Sequence, residues 1–296
     1  MKTIVRNTLN HKAIEHQFSG LAEFAAYGQT PCDMPDSERQ SLQASFGHDW
    51  DYGVDYAGAM ELVRGGWPEG ARKMRETADK MYEKIAPRVP VFGNTEHAVS
   101  GAAVDIAAYV EGIPECMLEF MESRVEAPKP VDIMVSIAAA ANVTADEVCN
   151  KGAAILAAVD VLNNRGCAVT IGIDVTTTND ERAAMRYTLT YSAPLHSPGE
   201  VLDIDALAFV LLHPAMLRRI AFAAREHAPE VFRKKIGITG AGDYGQSMNH
   251  PATPPETLYF PRLREDNKYD YSTPEKAVET VLSILKQHGL TIEDER

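Results

Sequence analysis

The chain predicts an α/β to α+β protein: a central mixed β-sheet with flanking helices, a helical N-terminal part and an extended C-terminal arm. Three observations carry that prediction. Residues 131–178 run as a β-branched stretch, a capped helical stretch and a second β-branched stretch. Residues 56–86 carry helical periodicity on both sides of a Gly-Gly break. After residue 240 the apolar period gives way to Gly, Pro and Tyr. With 296 residues, 45% of them hydrophobic, there is enough apolar surface to build a substantial core.

Taken in order, "MKTIVRN" reads as a short strand, "FSGLAEFAAYG" as an amphipathic turn or helix, and "QTPCDMPDSERQ" as a polar loop, so the start resembles an arm or cover. In 56–86, Gly65-Gly66 ends one helix and Pro68 opens the next. The second helix sets Met74, Ala78, Met81 and Ile85 on one face and Arg72, Lys73, Arg75, Lys80 and Lys84 elsewhere. "AAVDIAAYVEGIPECMLEFM" fits either a helix or a strand and turn. "VDIMVSIAA" is a buried strand, and Thr144 with Glu147 forms a capping box for the helix after it. "CAVTIGIDVTTT" is the second strand of a βαβ unit, and "RYTLTYSA" its hairpin partner. "DIDALAFVLLHPAMLRRIAFAAREH" is helical with an interruption at Pro214, "KKIGIT" reads as a last strand, and a final helix runs from Pro274 to about His288. The expected regions are 1–125, mainly helical; 126–250, an α/β core with the mixed sheet; and 251–296, an extended arm with the C-terminal helix.

Chemical signatures are sparse. "GITGAGDYG" holds a G-x-G-x-x-G at Gly240, Gly242 and Gly245, but "QSMNHPATPP" cannot supply the helix that such a loop needs to cradle a pyrophosphate. No Walker-type loop, nucleophile elbow or H-E-x-x-H is present. Cys32, Cys116, Cys149 and Cys167 form no C-x-x-C and are expected to be reduced thiols. The expectation is a protein with no catalysis, no cofactor and no metal. No run is apolar for long enough to span a membrane, and the start lacks the pattern of a signal peptide, which predicts a cytoplasmic protein.

Charge supplies the functional lead. The chain has 42 acidic against 29 basic residues, yet Arg218, Arg219, Arg225, Arg233, Lys234 and Lys235 crowd one short segment with two acidic neighbours, Glu226 and Glu230. Downstream, Tyr259, Tyr269 and Tyr271 interleave with Arg262, Arg264 and Lys268. Unpaired bases stack on aromatic rings while Lys and Arg neutralise phosphates, so these twelve residues are the candidate nucleic-acid site, for single strands. A duplex reader would need a helix-turn-helix or a finger, and neither is visible.

Two resemblances extend this. The strand, helix and hairpin of 131–192 resemble a von Willebrand factor A-type domain. That domain carries a metal on a D-x-S-x-S loop, where this chain has "VDIMVSIAAAAN", with Asp132 and Ser136 at the wrong spacing. The alternative function on that side is an interaction module working with an ATPase partner. The runs "GWPEGARKM", "NKGAAILAAVDVLNNRG" and "LAFVLLHPAMLRRIAFAAREH" resemble a poorly characterised family of phage proteins that includes single-stranded-DNA-binding RNA polymerase cofactors of lytic podoviruses. This resemblance implies a bacteriophage transcription cofactor in the cytoplasm of the infected host. It would have a fold other than the OB barrel, self-associate, bind single-stranded DNA and recruit a phage RNA polymerase.

Overall fold

A computed structural model describes residues 1–43, 52–89, 95–100, 103–104, 109–110, 112–120, 129–140, 143–179, 183–239, 243–251, 253–263 and 270–291. The chain opens with β1 (Lys2–Asn7), β2 (His11–Gln17) and α1 (Leu21–Tyr27), followed by α2 (Tyr56–Gly65) and α3 (Pro68–Ile85). A small sheet of β3 (Thr95–Ala98), β4 (Ala103–Val104) and β5 (Met117–Phe120) comes next. The centre is β6 (Lys129–Ser136), α4 (Ala145–Asn164), β7 (Cys167–Thr178) and β8 (Arg186–His196). Then come α5 (Ile204–Leu212), a π-helix (Met216–Ala221), α6 (Phe222–Glu226) and α7 (Glu230–Ile236). The chain continues through β9 (Ile238–Thr239), β10 (Asp243–Tyr244), β11 (Gln246–Met248), β12 (Leu258–Phe260) and α8 (Pro274–Gln287).

The main sheet is mixed, in the order β1-β2-β8-β7-β6-β12, with β11 also pairing β7. β6 and β7 are parallel and joined by α4, while β8 returns antiparallel on β7, which is the strand, helix and hairpin that the sequence predicts. The capping box forms as read: the Thr144 hydroxyl accepts the Glu147 amide, and the Glu147 carboxylate accepts the Thr144 amide.

Three readings change. The opening segment is not a cover, because β2 enters the sheet by pairing parallel to β8. "KKIGIT" splits: Lys234 and Lys235 finish α7, and the two-residue β9 that follows pairs β10 instead of the main sheet. The Gly-, Pro- and Tyr-rich stretch after residue 240 is pinned to the sheet twice, through β11 on Thr176–Thr178 of β7 and, in the arm, β12 on Ile133–Val135 of β6. Its short strands gave no apolar period because their partners, not their own sequence, specify them.

Alternation on the central strands gives the sheet two unlike faces. Val131, Ile133 and Val135 of β6 and Val169, Ile171, Ile173 and Val175 of β7 share one core with α4. α4 is buried almost all round, since α3, α5 and α8 pack against it in addition to the sheet. The alternate positions of β7 are Thr170, Gly172, Asp174, Thr176 and Thr178, so the opposite face is polar. Among the described residues no single helix is long and apolar enough to cross a membrane.

Candidate functional site

Half of the basic segment's cations are turned inward. Arg219 is 1% exposed, and its guanidinium donates to the carbonyls of Gln40, Ser41, Gln43 and Val54. Arg225 is buried against the Phe222 ring at 5.4 Å, and burial pushes its pKa down to about 10. Arg233 is buried, donating to the Ala228 carbonyl and to Asp33 at 2.7 Å. Glu226, fully buried between them in the chain, accepts from Arg39, Ser41 and the Tyr244 hydroxyl. Buried charges need partners, and the loop before α2 is where Arg219 and Glu226 find them. This answers why an acidic chain gathers cations here: much of the cluster clamps the chain to itself. Lys234 and Lys235 stay exposed, Lys234 beside Glu230 at 2.5 Å, and Arg218 is half-buried.

The aromatic arm is spent in the same way. Tyr271 is 2% exposed, and the Tyr259 hydroxyl accepts the His250 amide at 2.8 Å. Arg262 donates to the Ser247 carbonyl and hydroxyl. Arg264, Lys268 and Tyr269 lie outside the described residues. Arg219, Arg225, Arg233 and Tyr271 are therefore corrected from ligand contacts to internal ones, and among the described residues these four do not line a groove there.

What does assemble lies around Arg218. A cavity of about 370 Å³ opens at the carboxyl end of β6, lined by Ile137, Ala139, Ala140 and Val143, the start of α4 and Arg218. A second, of about 550 Å³, runs along α3 past Trp67, Arg72 and Lys73. Both are lined by Tyr52 and His213, which form the ridge between them. The Tyr52 ring meets His213 edge-on at 5.2 Å and Trp67 at 5.9 Å, and Trp67 meets His213 at 4.8 Å. Tyr52 and Trp67 are both half-buried, and Tyr52 lines both openings while Trp67 lines the second.

Local sequence explains both placements. Gly66, at φ 70°, ends α2 where a Cβ would collide with Asp205, and the following Trp67 amide donates to the Asp205 carbonyl at 2.9 Å. The Trp67 indole then lies over Gly70, where an added Cβ would stand 2.0 Å from the ring. Tyr52 adopts φ 55°, a left-handed conformation that costs a non-glycine residue roughly 1–3 kcal/mol and concentrates at functional sites. The neighbouring π-helix that carries Arg218 is another feature of such sites. Gly53, at φ 73°, marks a turn beside Tyr52, but no sequence signal ties that turn and Trp67 to His213, which lies far along the chain.

A third cavity, about 480 Å³, lies on the polar face of the sheet between Arg6, Glu15, Asp132, Ser192, His196 and His250. Glu15 is buried 3.7 Å from His250, whose hydrogen bond holds its carboxyl below the usual range. In the interior, burial raises Asp174 to about 6 and lowers Lys151 to about 7, and the Lys151 ammonium donates to the carbonyls of Ser136 and Pro261. The alternating polar residues of β7 were the readable sign of this face. Among the described residues no three His, Cys, Asp or Glu side chains gather as a metal site. Gly240 and Gly242 lie outside the described residues, and Gly245 leads into β11.

Residues 3–292 match the model of a family described as a domain of unknown function, DUF7192. No curated protein and no solved structure matches.

Proposed function

The chain belongs to the DUF7192 family, and from that premise, which brings no activity with it, we propose that it binds single-stranded DNA across the ridge of Tyr52 and Trp67. One observation carries the reading: two partly exposed aromatic rings stand between cations, with Arg218 on one side and Arg72 and Lys73 on the other. Bases stack on such rings for roughly 1–3 kcal/mol each, while the flanking cations neutralise phosphates. Arg72 pairs with Glu76 at 3.1 Å and Lys73 with Asp146 at 3.8 Å, but both pairs are exposed and therefore weak, so phosphates exchange with them at little cost. The acidic remainder of the molecule repels polyanions from other surfaces and confines binding to this one. The phage RNA polymerase implied by the sequence resemblance is the partner we carry into this proposal.

The test compares a labelled single strand with a duplex of the same sequence over a salt series. The expected result is tighter binding to the single strand, with a log-log slope near −0.7 per phosphate neutralised. Trp67→Ala should weaken binding by about 1–3 kcal/mol at an unchanged slope, whereas Arg218→Ala should flatten the slope. No binding at low salt, or equal binding to single strand and duplex, would overturn the proposal.

A second reading, the interaction module of von Willebrand type, is favoured by the cavity at the carboxyl end of β6. Its walls of Ile137, Ala139, Ala140 and Val143 suit an apolar side chain of a protein partner. Binding of that kind would be insensitive to salt.

A further inference from the structure

A side chain far along the chain reaches the backbone close to Tyr52. Arg218 and Arg219 are neighbours in the π-helix and diverge: Arg218 lines the cavity, and Arg219 is buried behind it. Nη1 of Arg219 donates to the carbonyls of Gln43 at 2.8 Å, Ser41 at 3.1 Å and Gln40 at 3.3 Å, while Nε donates to that of Val54 at 3.0 Å. Val54 is two residues beyond Tyr52, so the guanidinium holds the chain close to it on that side, while residues 44–51 lie outside the described residues. Glu226 reinforces the hold on Ser41, accepting from its amide and hydroxyl. A bulky residue at φ 55° persists only where its surroundings hold it, and the held carbonyl of Val54 is two residues away.

We propose that Arg219 is a positioning residue for the single-strand groove: by gripping the carbonyl of Val54, two residues on, it holds the Tyr52 ring against His213 and Trp67, where a base would stack. This rests on the groove reading above. It assigns Arg219 an indirect part in binding, in place of the phosphate contact that its position in the basic segment suggests.

The test is a double-mutant cycle on the full chain. Arg219→Lys keeps the charge, but an ammonium lacks the planar fork that reaches carbonyls in two directions. We expect Arg219→Lys and Tyr52→Ala each to weaken single-strand binding by about tenfold at an unchanged salt slope, and the double variant to bind no worse than either single one. A purely structural arginine would give losses that multiply. A fluorotyrosine placed at position 52 supplies a readout without DNA: its ¹⁹F resonance, displaced by the neighbouring rings in the wild type, should move toward the free value in Arg219→Lys. Arg219→Gln, which keeps a donor and buries no charge, is measured alongside in case the lysine variant does not fold. Multiplying losses, or a resonance that stays in place, would overturn the proposal. If the resonance moves but the wild type binds no single strand, the groove reading falls and the positioning of Tyr52 by Arg219 stands.

Discussion

Lys151 and Asp174 show what burial does to single residues. Each is almost wholly removed from water, and burial opposes the charged form of both, raising the acid to about 6 and lowering the amine to about 7. Stability should respond in two opposite limbs. Between the ordinary range of an aspartate and about pH 6, the folded state holds a proton on Asp174 that the unfolded chain has lost, so stability falls as pH rises. Above about pH 7, the unfolded chain holds a proton on Lys151 that the folded state has released, so stability rises with pH. Denaturant titrations across pH should therefore show a shallow minimum between about 6 and 7 from this pair. Lys151→Met should abolish the alkaline limb. It should also cost about 2 kcal/mol or more, because the carbonyls of Ser136 and Pro261 lose their donor.

At the scale of elements, the junction of α2 and α3 sets the aromatic ridge proposed for binding. Gly→Ala inside a helix ordinarily stabilises by up to about 1 kcal/mol, but at Gly70 the new methyl would occupy the seat of the Trp67 ring. Gly70→Ala should keep its helix by circular dichroism and lose single-strand affinity to the extent that Trp67→Ala does. How far an element could be read from sequence followed from what specifies it. α3, α4, β6 and β7 carry their own periodicity and caps, so they were legible together with the hairpin to β8. β11 and β12 are three residues each and exist because β7 and β6 offer hydrogen bonds, so they read as loop. The candidate site was legible least. Arg218 was found by charge, but whether a neighbouring arginine faces solvent or a row of carbonyls depends on a loop that folds back from the other end of the chain. Local charge density reports composition; it does not report direction.

At the scale of the molecule, strands from the beginning, middle and end of the chain share one sheet. A chain ending at residue 256 would lack β12 and α8, leaving β6 with an open edge and uncovering the side of α4 against which α8 packs. We expect that truncation to aggregate, with size-exclusion chromatography of the soluble fraction as the check. The pairing of β2 with β8 has a further consequence, in time. His11 lies across from Arg186 and Gln17 from Ser192, so this hairpin leaves the ribosome long before the strand it pairs with and must wait for it. The core of β6, α4, β7 and β8 is local and can close early, whereas docking β2 requires closing most of the chain into a loop. Folding should thus proceed outward from the middle, with the N-terminal hairpin kept waiting as an unpaired edge. During synthesis that hairpin is the segment most open to a neighbouring nascent chain, and co-translational chaperones would have most reason to cover it.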